Sequence, residues 1–214
     1  MKPNKYLYVG IGAAAAIIAI IVVSYYINMP AKSKSNALDL DFTYNEANSN
    51  LKTSFQSQGI SMSSPLKFTK QLDIDKYCNF FTDAEKQKLV EYCTSTEIKD
   101  EKGNFLGNVH MVGSQSAPGA VIAVLQSNPT MDNLDKIKIV FGTMTKELVC
   151  DCWKDVKPGG YDTIEKWIDA LRDFHTSGDK PHSKSKPLAL DSKHLQIELT
   201  TNKDGYLWKL LLAR

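Results

Sequence analysis

The sequence predicts an α+β protein: one N-terminal transmembrane helix followed by a single globular domain with an antiparallel sheet and about three helices. Three observations carry this expectation. Residues 7–27 form 21 consecutive positions without a charge. Helix-start signals recur downstream in separate blocks rather than alternating with single strands. Between those blocks, and again at the C-terminal end, apolar residues follow a period of two and the connecting turns are short, which implies antiparallel pairing.

After a tail of residues 1–6, the uncharged run is long enough to span a bilayer, since a helix rising about 1.5 Å per residue covers about 30 Å in 20 residues. Tyr6, Tyr8, Tyr25 and Tyr26 flank it at the two interfaces, where an aromatic ring meets lipid and its hydroxyl stays wet. The run exceeds the apolar core of a secretory signal, about 7 to 15 residues, and bulky residues follow it where a cleavage site needs small ones. An uncleaved single-pass anchor is therefore expected, with the lipid bilayer as its partner. Lys2 and Lys5 against Lys32 and Lys34 give a slight charge bias that, with the short tail, places the C-terminal domain outside the cytoplasm.

Residues 28–42 read as a polar tether, and residues 43–214 as the globular domain, a usual size for a single core. Lys2 and Lys5 are the only charged side chains before Asn28, so beyond it basic and acidic groups balance at 24 each. Nucleic acid is excluded as a partner on this ground, because replacing phosphate counterions needs a basic excess.

Thr43 and Glu46 have capping-box spacing, and Tyr44, Ala47, Leu51 and Phe55 share one face, which predicts a helix over 44–58 ended by Gly59. Thr82 and Glu85 predict a second helix reaching Tyr92. Asp162 and Glu165 open a third, with Ile164, Trp167, Ile168, Leu171 and Phe174 on one side and Gly178 just past its end. Strands are predicted over 95–99, 105–112, 120–126, 136–143 and 147–153, with Asp100 to Gly103 as a hairpin turn. Residues 194–201 and 206–212 flank Asn202-Lys203-Asp204-Gly205 as a closing hairpin.

Chemistry is concentrated in four cysteines, Cys78, Cys93, Cys150 and Cys152, an even number that suggests two disulfides in an exported domain. On a strand, residues two apart lie about 6.6 Å from each other. Cys150 and Cys152 are then expected to pair with Cys78 and Cys93 rather than with each other, with Trp153 packed over one bridge. Two sharper readings use Cys150-Asp151-Cys152: a soft metal site completed by His110, Met111 or Met144, or a thiol–disulfide exchange pair if the segment forms a turn instead of a strand.

Other motifs carry less. Ser64 and Lys67, Ser177 and Lys180, and Ser183 and Lys186 match a serine-x-x-lysine spacing without its companion motifs. No nucleophile elbow, phosphate-cradling glycine loop or helical zinc-histidine pair is present, so no catalytic residue and no cofactor are expected. His175 reads as a cation capping a helix C-terminus. The loop 179–187 reads as basic and solvated, with contact to anionic lipid as the sharper alternative. The expected function is a membrane-anchored binding or accessory module, with other membrane-protein subunits as the partner class. An exported metal-handling or thiol-redox protein using Cys150 and Cys152 is the alternative.

Overall fold

Capping chemistry sets the first element. In a computed structural model that describes residues 38–178 and 180–214, Thr43 and Glu46 form a reciprocal capping box and helix α1 runs Tyr44–Gln56. Its buried residues, Tyr44, Ala47, Leu51 and Phe55, are those spaced along one face. Packing begins within the segment read as tether: the Leu40 side chain is buried, and its N–H donates to Pro118 O at 2.7 Å. The rest of the chain folds as strands β1 Ser61–Met62 and β2 Leu66–Phe68, helices α2 Gln71–Tyr77 and α3 Ala84–Lys88, and strands β3 Tyr92–Lys99, β4 Phe105–Gly113 and β5 Pro118–Ser127. Helices α4 Leu134–Leu148, α5 Trp153–Val156 and α6 Ile164–Thr176 follow, then strands β6 His182–Lys184, β7 Leu188–Leu190, β8 Lys193–Asn202 and β9 Gly205–Ala213.

All strand pairs are antiparallel, and the order across the nine-stranded sheet is β1-β3-β4-β5-β9-β8-β6. The predicted closing hairpin is present, with Asn202 opposite Gly205 and the turn held by Asp204 N–H on Asn202 Oδ1 at 2.8 Å. At each edge the outer strand is broken in two. β1 and β2 both lie along β3, and β6 and β7 both lie along β8. Pro65 and Pro187, which have no N–H to donate, sit in the two breaks. A serine then completes the ladder at each break in the same way. Ser63 N–H donates to Glu97 O and its Oγ accepts from Glu97 N, both at 3.0 Å. Ser185 N–H donates to Ile197 O at 2.9 Å and its Oγ accepts from Ile197 N at 3.1 Å.

Helices α1, α4 and α6 cover one face of the sheet and enclose the main core, which includes Phe141, Trp167 and Trp208. The other face carries a smaller cluster, in which Ile74 of α2 and Cys78 pack with Val90 on Cys93, Val112, Ala120 and Ile122.

Three predicted elements are corrected. Residues 136–143 are helical, part of α4, because Leu134, Ile137, Phe141, Met144 and Leu148 recur at helical intervals and are all buried. The alternation of Lys136, Ile137, Lys138 and Ile139 reproduces a strand pattern over only four residues. The predicted strand 147–153 is the end of α4, a turn and the start of α5. The second predicted helix is shorter, Ala84–Lys88, and its cap is Asp83, whose side chain accepts from Glu85 N at 2.9 Å. Tyr92 instead opens β3, where it lies opposite Gly113. Among the described residues six α-helices thus replace the three expected of the globular domain. Among the described residues no helix is long and apolar enough to cross a membrane, and the span predicted at 7–27 lies outside them.

Candidate functional site

Helix α4 ends when Val149 leaves helical geometry at φ −120°, ψ −78°, and the N–H groups of Val149 and Cys150 both donate to Thr145 O, at 3.0 and 3.2 Å. Two residues later Cys152 opens α5, its carbonyl accepting from Asp155 N at 3.1 Å and Val156 N at 3.0 Å. The chain between the helices folds back on itself, so the Cα atoms of Cys150 and Cys152 approach to 5.2 Å, inside the range a disulfide spans. These two cysteines are bonded to each other, and Cys78 is bonded to Cys93 across a Cα distance of 6.4 Å. The expected cross-pairing is overturned because its premise, an extended strand at 147–153, does not hold.

The two bridges have opposite settings. Cys78 and Cys93 are fully buried and fasten the end of α2 to β3 beneath the smaller cluster. Cys150 and Cys152 are partly exposed, and Cys150 lines a cleft of about 870 Å³ on the helical face; two smaller recesses, of about 480 and 250 Å³, lie elsewhere. Thr143 and Lys146 of α4 form one wall of the large cleft and Glu165 of α6 the other, with Gln58, Trp153 and Ile164 contributing surface. Gln58 Nε2 donates to Thr143 Oγ1 at 2.7 Å, which ties the segment after α1 to this wall. Trp153 lines the same cleft as Cys150. It is buried against Trp167, with 5.6 Å between rings, and its Nε1 donates to Tyr161 O at 3.0 Å. Two lysines of the cleft are paired, Lys146 with Asp151 at 2.8 Å and Lys138 with Asp169 at 2.8 Å. The hydrogen bond to Asp151 raises the Lys146 pKa, so this ammonium stays charged throughout the physiological range.

The nitrogen donor proposed for a soft metal, His110, is not brought to the cysteines. Met111 and Met144 are buried in the main core. His110 is on the opposite side of the sheet, its ring tilted against Phe80 with 4.6 Å between centroids and aligned with Ser95 and Ile122 on the neighbouring strands. Its Nδ1 has no hydrogen-bond partner among the described residues, and burial pushes its pKa down to about 4. Among the described residues no group of three or more His, Cys, Asp or Glu side chains is arranged to hold a metal ion.

His175 is not a solvated cap. It is 1% exposed and lies between Ser183 Oγ at 2.9 Å and Thr201 Oγ1 at 2.8 Å, linking α6 to β6 and β8. Burial, followed by the charges of His182 and Lys180, lowers its pKa and favours the neutral ring. Of the three serine-x-x-lysine matches, Ser183 is occupied by this histidine contact, and Lys180 lies over the Phe174 ring at 4.2 Å. Part of the predicted basic loop is strand β6, where Lys184 pairs with Glu198 at 3.0 Å.

Sequence reasoning missed the cleft because α4 was read as a strand, which hides the proximity of Thr143 and Lys146 to Cys150. The signal that recovers it is the buried series Leu134, Ile137, Phe141, Met144 and Leu148. Compared with known proteins, the chain matches no family model, no curated protein and no solved structure.

Proposed function

We propose that this chain is a single-pass membrane protein whose α+β domain works outside the cytoplasm as a binding or accessory module, engaging its partner at the cleft beside Cys150. The observation that carries this reading is the oxidised state of all four cysteines. Disulfides persist in exported compartments and are rare in a reducing cytosol. The uncharged run at residues 7–27 supplies the anchor. The cleft supports a binding role, because it joins apolar surface from Trp153 and Ile164 to polar groups on two helices.

Placement is tested with Lys203→Cys at the exposed hairpin tip of the full chain. A membrane-impermeant maleimide should label this position on intact cells, and labelling only after lysis would overturn the outside placement. The accessory role is tested by the native mass of the detergent-extracted chain. A defined complex supports it, and a lone monomer with turnover of its own refutes it.

A further inference from the structure

We propose that Cys150 and Cys152 form a thiol–disulfide exchange pair that oxidises a protein dithiol seated in the adjacent cleft. The argument begins with the sequence separation of 2 between them. Closing so small a loop restricts the unfolded chain much less than closing the 15-residue separation between Cys78 and Cys93. The bridge is therefore poorly suited to act as a staple.

The backbone around the pair is held without help from the sulfurs. Cys150 N–H bonds to Thr145 O, and the Cys152 carbonyl accepts from Asp155 and Val156, so the ends of α4 and α5 fix both positions. Trp153, buried and hydrogen-bonded to Tyr161, anchors the residue that follows. Opening the disulfide leaves these contacts intact and the two thiols side by side. Exchange needs this property: the reduced and oxidised forms share one backbone, and neither requires unfolding.

Both cysteines are partly exposed, and the cleft distinguishes them: Cys150 lines it, which makes Cys150 Sγ the target for a thiolate seated there. That thiolate forms a bond to Cys150 Sγ while the Cys150–Cys152 bond breaks, and the electron pair leaves on Cys152 Sγ, which takes up a proton. The partner's second thiolate then attacks its own sulfur in the mixed disulfide. The partner disulfide forms, and Cys150 Sγ leaves with the electron pair and is protonated in turn. Two electrons pass from the partner dithiol to the domain, and the two protons the partner's thiols release balance the two the domain's thiols gain.

The test uses the purified full chain in detergent with a synthetic two-cysteine peptide as the dithiol, read by alkylation and mass spectrometry under native conditions. This assay does not depend on topology, so its failure is separable from failure of the outside placement. Cys150–Cys152 should open at a peptide concentration about tenfold or more below that which reduces Cys78–Cys93, with one peptide disulfide formed per domain and an unchanged circular dichroism spectrum. Cys152→Ser leaves a lone Cys150 thiol, which should take up glutathione from glutathione disulfide about tenfold faster than the Cys152 thiol does in Cys150→Ser. The proposal is overturned if the pair opens only with Cys78–Cys93 and loss of fold, if it opens without oxidising the peptide, or if the two single variants react equally.

Discussion

Replacing His110 with leucine should remove much of this domain's sensitivity to mild acid. In the folded chain His110 lies on β4 beneath Phe80, with an unpartnered Nδ1 and a pKa pushed from 6.5 down to about 4 by burial. The unfolded chain protonates near the ordinary value, so the folded state is favoured while the ring is neutral. That contribution is complete above pH 6.5, declines as the pH falls through the interval, and is gone below about 4. The shift of about 2.5 units corresponds to about 3 kcal/mol over the whole interval, of which about 2.5 kcal/mol is lost by pH 4.5. Urea denaturation at pH 7.5 and 4.5, on wild type and His110→Leu, measures this directly. The carboxylates with lowered pKa values, among them Asp41 and Glu198, and the buried His175 are common to both proteins and cancel in the difference. The variant should therefore lose about 2 to 3 kcal/mol less than wild type between the two pH values. Parallel losses in the two proteins would refute the buried, neutral histidine.

Three further predictions concern stability. Cys78→Ser with Cys93→Ser should cost about 3 kcal/mol, against about 1.5 kcal/mol for the Cys150→Ser, Cys152→Ser pair, as urea midpoints at constant slope would show. Gly107 holds φ 150°, and a β-carbon there would collide with Val124 O and meet Leu125 Cα at 2.8 Å. Gly107→Ala should thus lower the thermal midpoint by several degrees, about 2 kcal/mol or more, while Gly103→Ala, with open space around it, should lose only the cost of its positive φ. Lys193, 4% exposed, pairs with Asp41 at 2.9 Å. Asp41→Asn leaves that ammonium buried without its carboxylate and should cost about 1 to 2 kcal/mol by the same urea assay, more than exposed Lys166 would lose in Asp162→Asn.

The parts of the fold legible in the sequence are those where local chemistry and tertiary packing agree. Thr43 and Glu46 cap α1 as their spacing requires, and the hairpin at Asn202 to Gly205 follows from its turn residues. Strands β3, β4 and β5 were recognised with their ends set a few residues short. Where local and long-range signals conflict, the local one misleads. Over residues 136–139 alternating lysines and isoleucines imitate a strand, yet the helical series extends well beyond them. The edge strands β1, β2, β6 and β7 are two or three residues long, too short to carry a period, and Pro65 and Pro187 mask them further. His175 was misread because helix position alone cannot tell that Ser183 and Thr201 close over the ring. The cysteine pairing failed with the strand on which it was argued.

The sheet's surroundings narrow where a partner can dock. Both edges are short, broken at a proline and closed by a serine, a design that discourages pairing with another strand. Over β8 and β9 the uncovered face carries Lys184, Glu198 and Lys209 in register, joined by ion pairs of 3.0 and 2.6 Å, so this part of the sheet is suited to water. Two surfaces are compared as docking sites: the cleft beside Cys150, and the second face of the sheet, where Leu66 and Leu72 are 66% and 81% exposed. Around these leucines the surface also carries the charges of Asp73 and Lys76 on α2. The cleft adds depth, hydrogen-bonding groups from α4 and α6, and an accessible sulfur, so recognition and exchange can share one site. Filling it with Glu165→Trp, at an exposed position of the cleft wall, should slow exchange with the dithiol peptide and leave exchange with small glutathione less affected, whereas Leu72→Glu should change neither.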